Sequence, residues 1–151
     1  MTGLKRIAFA LTTSMLTTLG GTSAFAADTT ILVSLWDQGP NSAIMDASKP
    51  RGVTHAAASA SAMMGITLDQ ATVSAGTVTF SVTNDSKDIV HEMIVSPLAN
   101  MTTEPPYIAD EYRVNEDAAG HMGEVAELDP GKSGSLGLDL AAGQYLLFCN
   151  I

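Results

Sequence analysis

Stretches in which apolar and polar residues alternate recur along the chain. The clearest runs from Thr77 to Asn84, where Val78, Phe80 and Val82 share one face while Thr and Ser residues occupy the other. A period of two is typical of a β-strand that is buried on one side. Further strands are predicted at residues 29–35, 64–68, 89–95, 123–128, 135–140 and 143–151.

Turn and loop signals separate these predicted strands. Residues 129–132 read Asp-Pro-Gly-Lys, with Pro and Gly at positions that tight turns prefer, and residues 84–88 form a polar turn. Residues 41–64 are rich in Ala, Ser and Met without a clear period, so a loop is predicted there. Residues 96–120 form a long acidic loop, with a short helix predicted near Tyr107–Tyr112. Short strands separated by turns predict an all-β sandwich.

The first 26 residues have the pattern of a secretory signal. Lys5 and Arg6 precede the mostly apolar run Ile7–Leu19, and Ala24-Phe25-Ala26 is a small-x-small cleavage site. No later run is long and apolar enough for a membrane helix, so we expect a periplasmic or secreted protein without membrane insertion. The predicted organisation is a signal peptide at 1–26, an N-terminal strand with an irregular segment at 27–63, and one domain at 64–151.

The chain is acidic, and its charge limits the partners that it can bind. The formal net charge is −9, with seven basic and 16 acidic residues. Removal of Lys5 and Arg6 with the leader would leave five basic residues against 16 acidic ones, a net charge of −11. Nucleic acids and anionic membranes require a basic surface, so both are excluded as partners. A cationic partner fits this charge, and solubility alone is the alternative explanation.

Cys149 is the only cysteine of the chain, and it follows the apolar run that begins at Gly143. A single cysteine cannot form a disulfide within its own chain. Thiolate and imidazole groups are soft and borderline metal ligands. We therefore predict Cys149 as a candidate metal ligand, with His91 in the strand of residues 89–95 as its partner.

Each of these residues also has an ordinary structural interpretation. A buried cysteine such as Cys149 is often a small hydrophobic residue, and a histidine such as His91 at a strand end is often a surface residue. His121 and Met122 form an alternative pair of ligands, but they precede a predicted strand and are interpreted as loop residues. Glu92, beside His91, is expected to point to solvent.

Residues 64–151 resemble the cupredoxins, the small blue copper proteins of the plastocyanin and azurin kind. The matching segments are Leu68-Asp69, Val73–Asn84, Val90-His91-Glu92-Met93, Leu128–Ser133 and Gly143–Ile151. The resemblance implies a Greek-key β-sandwich and a copper ion bound by His91 and Cys149. In this family a Pro-Gly-His sequence and then a Met follow the cysteine. This chain ends at Ile151, so we expect a fragment that lacks the second His, the Met and the last strand.

The resemblance implies a periplasmic electron carrier with a type 1 copper site. Its expected partner is a redox protein with a basic patch, and the complete protein is expected to be a monomer. A copper-binding or copper-delivery protein without electron transfer is one alternative, and a metal-free structural sandwich is another. No enzyme is predicted, because the sequence has no nucleophile–base arrangement, phosphate loop or paired carboxylates at a defined spacing.

Overall fold

The computed structural model describes residues 28–39 and 63–151. The predicted signal peptide and most of the predicted loop at 41–64 lie outside these residues. No helix in the described ranges has the length and apolar composition needed to cross a membrane. The elements are β1 (Thr29–Asp37), β2 (Met64–Leu68), β3 (Gly76–Asn84), β4 (His91–Leu98), β5 (Tyr107–Ile108), β6 (Arg113–Val114), α1 (Glu116–Ala119), β7 (Gly123–Leu128), β8 (Ser133–Leu140) and β9 (Gln144–Phe148).

Two sheets form the body of the structure. The first has the strand order β2-β1-β3-β8 and the second has the order β7-β4-β9, while β5 and β6 pair in a small hairpin. β1 and β3 run parallel, and all other neighbours are antiparallel. The chain changes sheet between β3 and β4, between β7 and β8, and between β8 and β9. The predicted all-β, Greek-key sandwich is confirmed.

The main core lies between the two sheets. Val78, Phe80 and Val82 of β3 are almost completely buried, as their alternation predicted, and they share a cluster with Met93 and Val95 of β4. Burying one such side chain contributes about 1.5–3 kcal/mol to the free energy of unfolding. The same cluster includes Ile31, Val33, Leu35, Val125 and Leu140, with Leu136 and Leu138 packed against it.

A second, smaller cluster covers the other face of β4. It joins Ile94 of β4 to Leu146 and Phe148 of β9 and to Val114 of β6, with Ala119 of α1 packed against it. The segment from β5 to α1 therefore lies over the second sheet. As a result, the first six residues of β4 are all buried, whichever face they occupy.

The short helix is displaced from its predicted position. Residues near Tyr107–Tyr112 contribute to the β5–β6 hairpin, and the helix is α1 instead. Asn115 caps its start, with Oδ1 accepting a hydrogen bond from the Ala118 amide at 3.0 Å. Gly120 ends it in the left-handed conformation, at φ 74°.

Candidate metal centre

His91 and Cys149 come together although 58 residues separate them along the chain. His91 is the first residue of β4, and Cys149 directly follows β9, the neighbour of β4 in the second sheet. The distance from His91 Nδ1 to Cys149 Sγ is 3.8 Å. His91 is 3% exposed and Cys149 is partly buried. The antiparallel pairing of β4 with β9 thus brings together the two predicted ligands.

The spacing of these two donor atoms is suitable for one metal ion. With bonds of about 2.0–2.1 Å to nitrogen and about 2.3 Å to sulfur, as for zinc, an angle of about 120° at the metal places the donors about 3.8 Å apart. Blue copper sites use such a trigonal arrangement of imidazole and thiolate donors. His91 Nδ1 and Cys149 Sγ are separated by this distance.

A β-bulge lies beside His91. His91 pairs with Leu128 of β7, whereas Met93 pairs with Val125, so β7 has one residue more than β4 in this interval. Glu127, within the interval, has a φ of 35°. Bulges of this kind bend a strand and change the direction of its side chains. The irregularity ends the regular pairing of β4 with β7 where the candidate ligand lies.

Glu92 is buried, so the prediction that it points to solvent was wrong. Its side-chain Oε1 accepts a hydrogen bond from the Asn150 amide at 3.0 Å. Burial raises the pKa of the Glu92 carboxyl, and the Asn150 hydrogen bond opposes that rise. The nearby carboxylates of Glu116, Glu124 and Glu127 raise this pKa further. Glu92 thus fixes the backbone immediately after Cys149 while remaining partly desolvated.

Asn84 anchors the loop that leads into His91. Its side chain is fully buried, and Nδ2 donates to the carbonyl oxygens of Ile89 at 2.9 Å and Leu128 at 2.7 Å. Its Oδ1 accepts a hydrogen bond from the Ser86 amide at 3.0 Å. These bonds join the loop, β3 and the end of β7, and therefore restrict the position at which β4 begins.

Asp37, the last residue of β1, is a site residue that the sequence analysis did not identify. Its Oδ2 lies 3.5 Å from His91 Nε2, and the Asp37 side chain is 1% exposed. Its Oδ1 accepts a hydrogen bond from the Gly39 amide at 2.6 Å. Asp37 lies two residues beyond the predicted end of the first strand at residue 35, so no sequence signal placed it beside β4.

The alternative pair, His121 and Met122, lies apart from His91 and Cys149, and His121 belongs to a different cluster of side chains. His121 Nε2 lies 3.7 Å from Glu124 Oε2, and the ligand atoms of Glu116, His121 and Glu124 all lie within 4.8 Å of one another. Met122 is exposed. This group of three includes neither His91 nor Cys149. His121 is thus placed among carboxylates.

Comparison with known proteins adds a structural similarity to a solved structure. No family model matches the chain, and no curated protein matches it. The chain is similar to the crystal structure of Na-dithionite reduced auracyanin from the photosynthetic bacterium Roseiflexus castenholzii, at 19% sequence identity and a TM-score of 0.44. The similarity covers 83% of this chain and 86% of that chain. The candidate site is therefore defined by the geometry of His91 and Cys149.

Proposed function

We propose that the protein is an exported copper protein that carries single electrons, with His91 and Cys149 as two of its copper ligands. The 3.8 Å distance from His91 Nδ1 to Cys149 Sγ carries this proposal. Copper, when bound, would supply a one-electron redox couple. Imidazole and thiolate are the donor types of blue copper sites, which supports copper rather than a hard cation such as Mg²⁺.

The protein's part in this function is to hold the two donors rigidly. His91 begins β4 and Cys149 directly follows β9, its neighbour in a packed sheet, and the nearby residues Met93 and Phe148 are buried. Donors on rigid strands change position little when the charge at the site changes. Burial of His91 also keeps water away from one side of the site.

A type 1 centre needs a second imidazole and a weak axial ligand in addition to these two donors. In the cupredoxins, which residues 64–151 resemble, both of these ligands follow the cysteine along the chain. The test therefore uses the natural protein, purified from its source, so that every ligand it possesses is present.

The decisive experiment measures two properties of that protein. The intact mass shows how far the natural chain extends, and the visible spectrum is recorded after addition of Cu(II). We expect an intense thiolate-to-copper charge-transfer band that disappears in Cys149→Ser and His91→Gln. The matched control is His121→Gln, which removes an imidazole from the carboxylate group and should leave the band unchanged. A copper-loaded protein without colour, or a band that survives Cys149→Ser, would contradict the proposal.

Copper binding or delivery without electron transfer is the second candidate, favoured by three exposed methionines, Met63, Met101 and Met122. Thioether and thiolate groups select Cu(I). A linear two-ligand Cu(I) site would place the nitrogen and sulfur donors about 4.4 Å apart, if bond lengths are taken as those of zinc. The observed 3.8 Å fits a bent arrangement better. Tight Cu(I) binding without a reversible voltammetric wave would support delivery instead.

The proposed partner is a redox protein with a basic surface patch. The net charge of −9, which becomes −11 without the leader, supports such a partner. Complementary charges accelerate association, and salt screens them over about 8–10 Å at physiological ionic strength. The electron-transfer rate with a basic partner should therefore fall as salt is added, whereas a rate independent of salt would argue against this surface.

A further inference from the structure

The carboxylate of Asp37 faces the side of the His91 ring that is turned away from Cys149. Asp37 Oδ2 and His91 Nε2 are 3.5 Å apart, while Nδ1 of the same ring lies 3.8 Å from Cys149 Sγ. The Asp37 and His91 side chains are 1% and 4% exposed. The imidazole of His91 is therefore held between a carboxylate and a thiol.

Neither of the two facing atoms has a hydrogen-bond partner among residues 28–39 and 63–151. Both Asp37 Oδ2 and His91 Nε2 are buried polar atoms without a hydrogen bond. Buried polar atoms are almost always paired, because an unpaired one loses its hydration without compensation. A movement of a few tenths of an ångström would bring this pair within the usual hydrogen-bond range of about 2.7–3.2 Å.

The direction of that hydrogen bond determines which ring nitrogen carries the proton. A carboxylate can only accept, so Nε2 must carry the hydrogen if the two are to attract each other. The opposite tautomer would aim the Nε2 lone pair at the Asp37 oxygen, which is repulsive. With the hydrogen on Nε2, the lone pair of Nδ1 is directed toward Cys149 Sγ.

We propose that Asp37 is the positioning residue of this site. It accepts the Nε2 hydrogen of His91, fixes the ring orientation and presents the Nδ1 lone pair on the side of Cys149. Its use toward copper rests on the proposed function, whereas the tautomer is a property of the metal-free chain. Carboxylates that hold a ligating histidine in this way strengthen metal binding, and their loss commonly lowers the affinity about 10–100-fold.

The first test determines the tautomer of His91 in the metal-free protein. Long-range ¹H–¹⁵N correlation spectra are recorded at alkaline pH with a chelator and a thiol reductant, and His91→Gln identifies the signals. We expect hydrogen on Nε2 in the wild type. Hydrogen on Nδ1, or on both nitrogens, would overturn the proposal.

The matched variants are Asp37→Asn and Asp69→Asn. Asparagine at position 37 retains one oxygen, which can accept from the Gly39 amide, and its NH₂ group would then donate to Nε2 and move the hydrogen to Nδ1. Asp69 Oδ1 accepts from the Leu32 amide at 2.8 Å, so Asp69→Asn removes a charge beside β1 without touching His91. An unchanged tautomer in a folded Asp37→Asn variant would contradict the proposal.

A second measurement separates this proposal from the proposed function. Competition titrations with Cu(II) should show an affinity about 10–100-fold lower in Asp37→Asn and unchanged in Asp69→Asn. Hydrogen on Nε2 without any copper band would support the role of Asp37 as positioning residue and refute the copper function. A copper band together with hydrogen on Nδ1 in the wild type would support the copper function and refute the role of Asp37 as positioning residue.

Discussion

Asn150 holds Val114 by both ends of its side-chain amide. Its Oδ1 accepts a hydrogen bond from the Val114 amide at 2.9 Å, and its Nδ2 donates to the Val114 carbonyl at 3.1 Å. The same Nδ2 donates to Glu116 Oε1 at 2.8 Å. The residue after Cys149 is thereby joined to the segment that covers the second sheet.

Removal of this amide should destabilise the protein and loosen the position of Cys149. In Asn150→Ala both backbone groups of the buried Val114 lose their Asn150 partner, so we expect a loss of about 1–3 kcal/mol in the free energy of unfolding. Urea denaturation measures this change. Asn150→Asp keeps the acceptor but brings a carboxylate to Glu116, and a stability equal to that of the wild type in both variants would contradict this account.

Asn84 should contribute more to the free energy of unfolding than a surface asparagine with similar local hydrogen bonds. Asn84→Ala removes three hydrogen bonds and leaves the partly buried carbonyl groups of Ile89 and Leu128 without that donor, so we expect a loss of about 2–4 kcal/mol. The control is Asn100→Ala, where exposed Oδ1 accepts from Thr102. Its effect should be within about 0.5 kcal/mol. Thermal or urea unfolding that ranks the two variants equally would refute the prediction.

The close approach of the two sheets requires a glycine at position 134. A Cβ atom there would lie 2.5 Å from Val125 Cγ1, whereas a Cβ at Gly137 of the same strand would meet no atom within 4 Å. We expect Gly134→Ala to lower the free energy of unfolding by about 1–3 kcal/mol. Gly137→Ala should be neutral or stabilising by up to about 1 kcal/mol, because alanine reduces the entropy of the unfolded chain. Chemical denaturation of Gly134→Ala and Gly137→Ala tests whether position 134 packs against Val125 as described.

Glu92→Gln should reduce the dependence of stability on pH in the metal-free protein. Burial raises the pKa of Glu92 above its ordinary value of 4.5, so the folded state holds this proton more tightly than the unfolded state. The contribution of Glu92 to the free energy of unfolding therefore falls as the pH rises from about 4.5 through the raised pKa. Glutamine can still accept from the Asn150 amide without carrying a charge.

The measurement is the free energy of unfolding of wild type and Glu92→Gln between about pH 4 and pH 8, with a chelator present. The variant should gain stability relative to the wild type as the pH rises. Glu104→Gln, at an exposed position, is the control and should differ from the wild type by less than about 0.5 kcal/mol. A difference between Glu92→Gln and the wild type that is constant over this range would contradict the assigned cause.

Local patterns were sufficient to predict most of the sandwich. The strands at 64–68 and 123–128 have the predicted bounds, because turn residues such as Gly131, at φ 73°, end the apolar runs. The helix was misplaced although its signals are local: Asn115 is a favourable N-cap and Gly120 a favourable C-terminal residue. The prediction of a helix near Tyr107–Tyr112 did not take these two caps into account.

The surroundings of the site depend on contacts between distant segments, which local patterns do not encode. Cys149 and His91 were predicted as candidate ligands because residue chemistry and a family resemblance both pointed to them. Asp37 reaches His91 only because β1 extends two residues beyond its predicted end and the sheets pack face to face. Glu92 is buried only because the β5–α1 segment covers the second sheet. The acidic composition of residues 96–120 does not predict the surface against which this segment packs.

The 58-residue separation of His91 and Cys149 also determines when the site can exist. No hairpin or local turn can bring the two side chains together, since they meet only after β4 and β9 have paired within the finished sandwich. All-β domains with such long-range pairing commonly fold in milliseconds to seconds. A metal ion that arrives during this interval meets the Cys149 thiol before the His91 imidazole has reached it. In the proposed copper protein, the metal would therefore be loaded after folding, when both donors are in place.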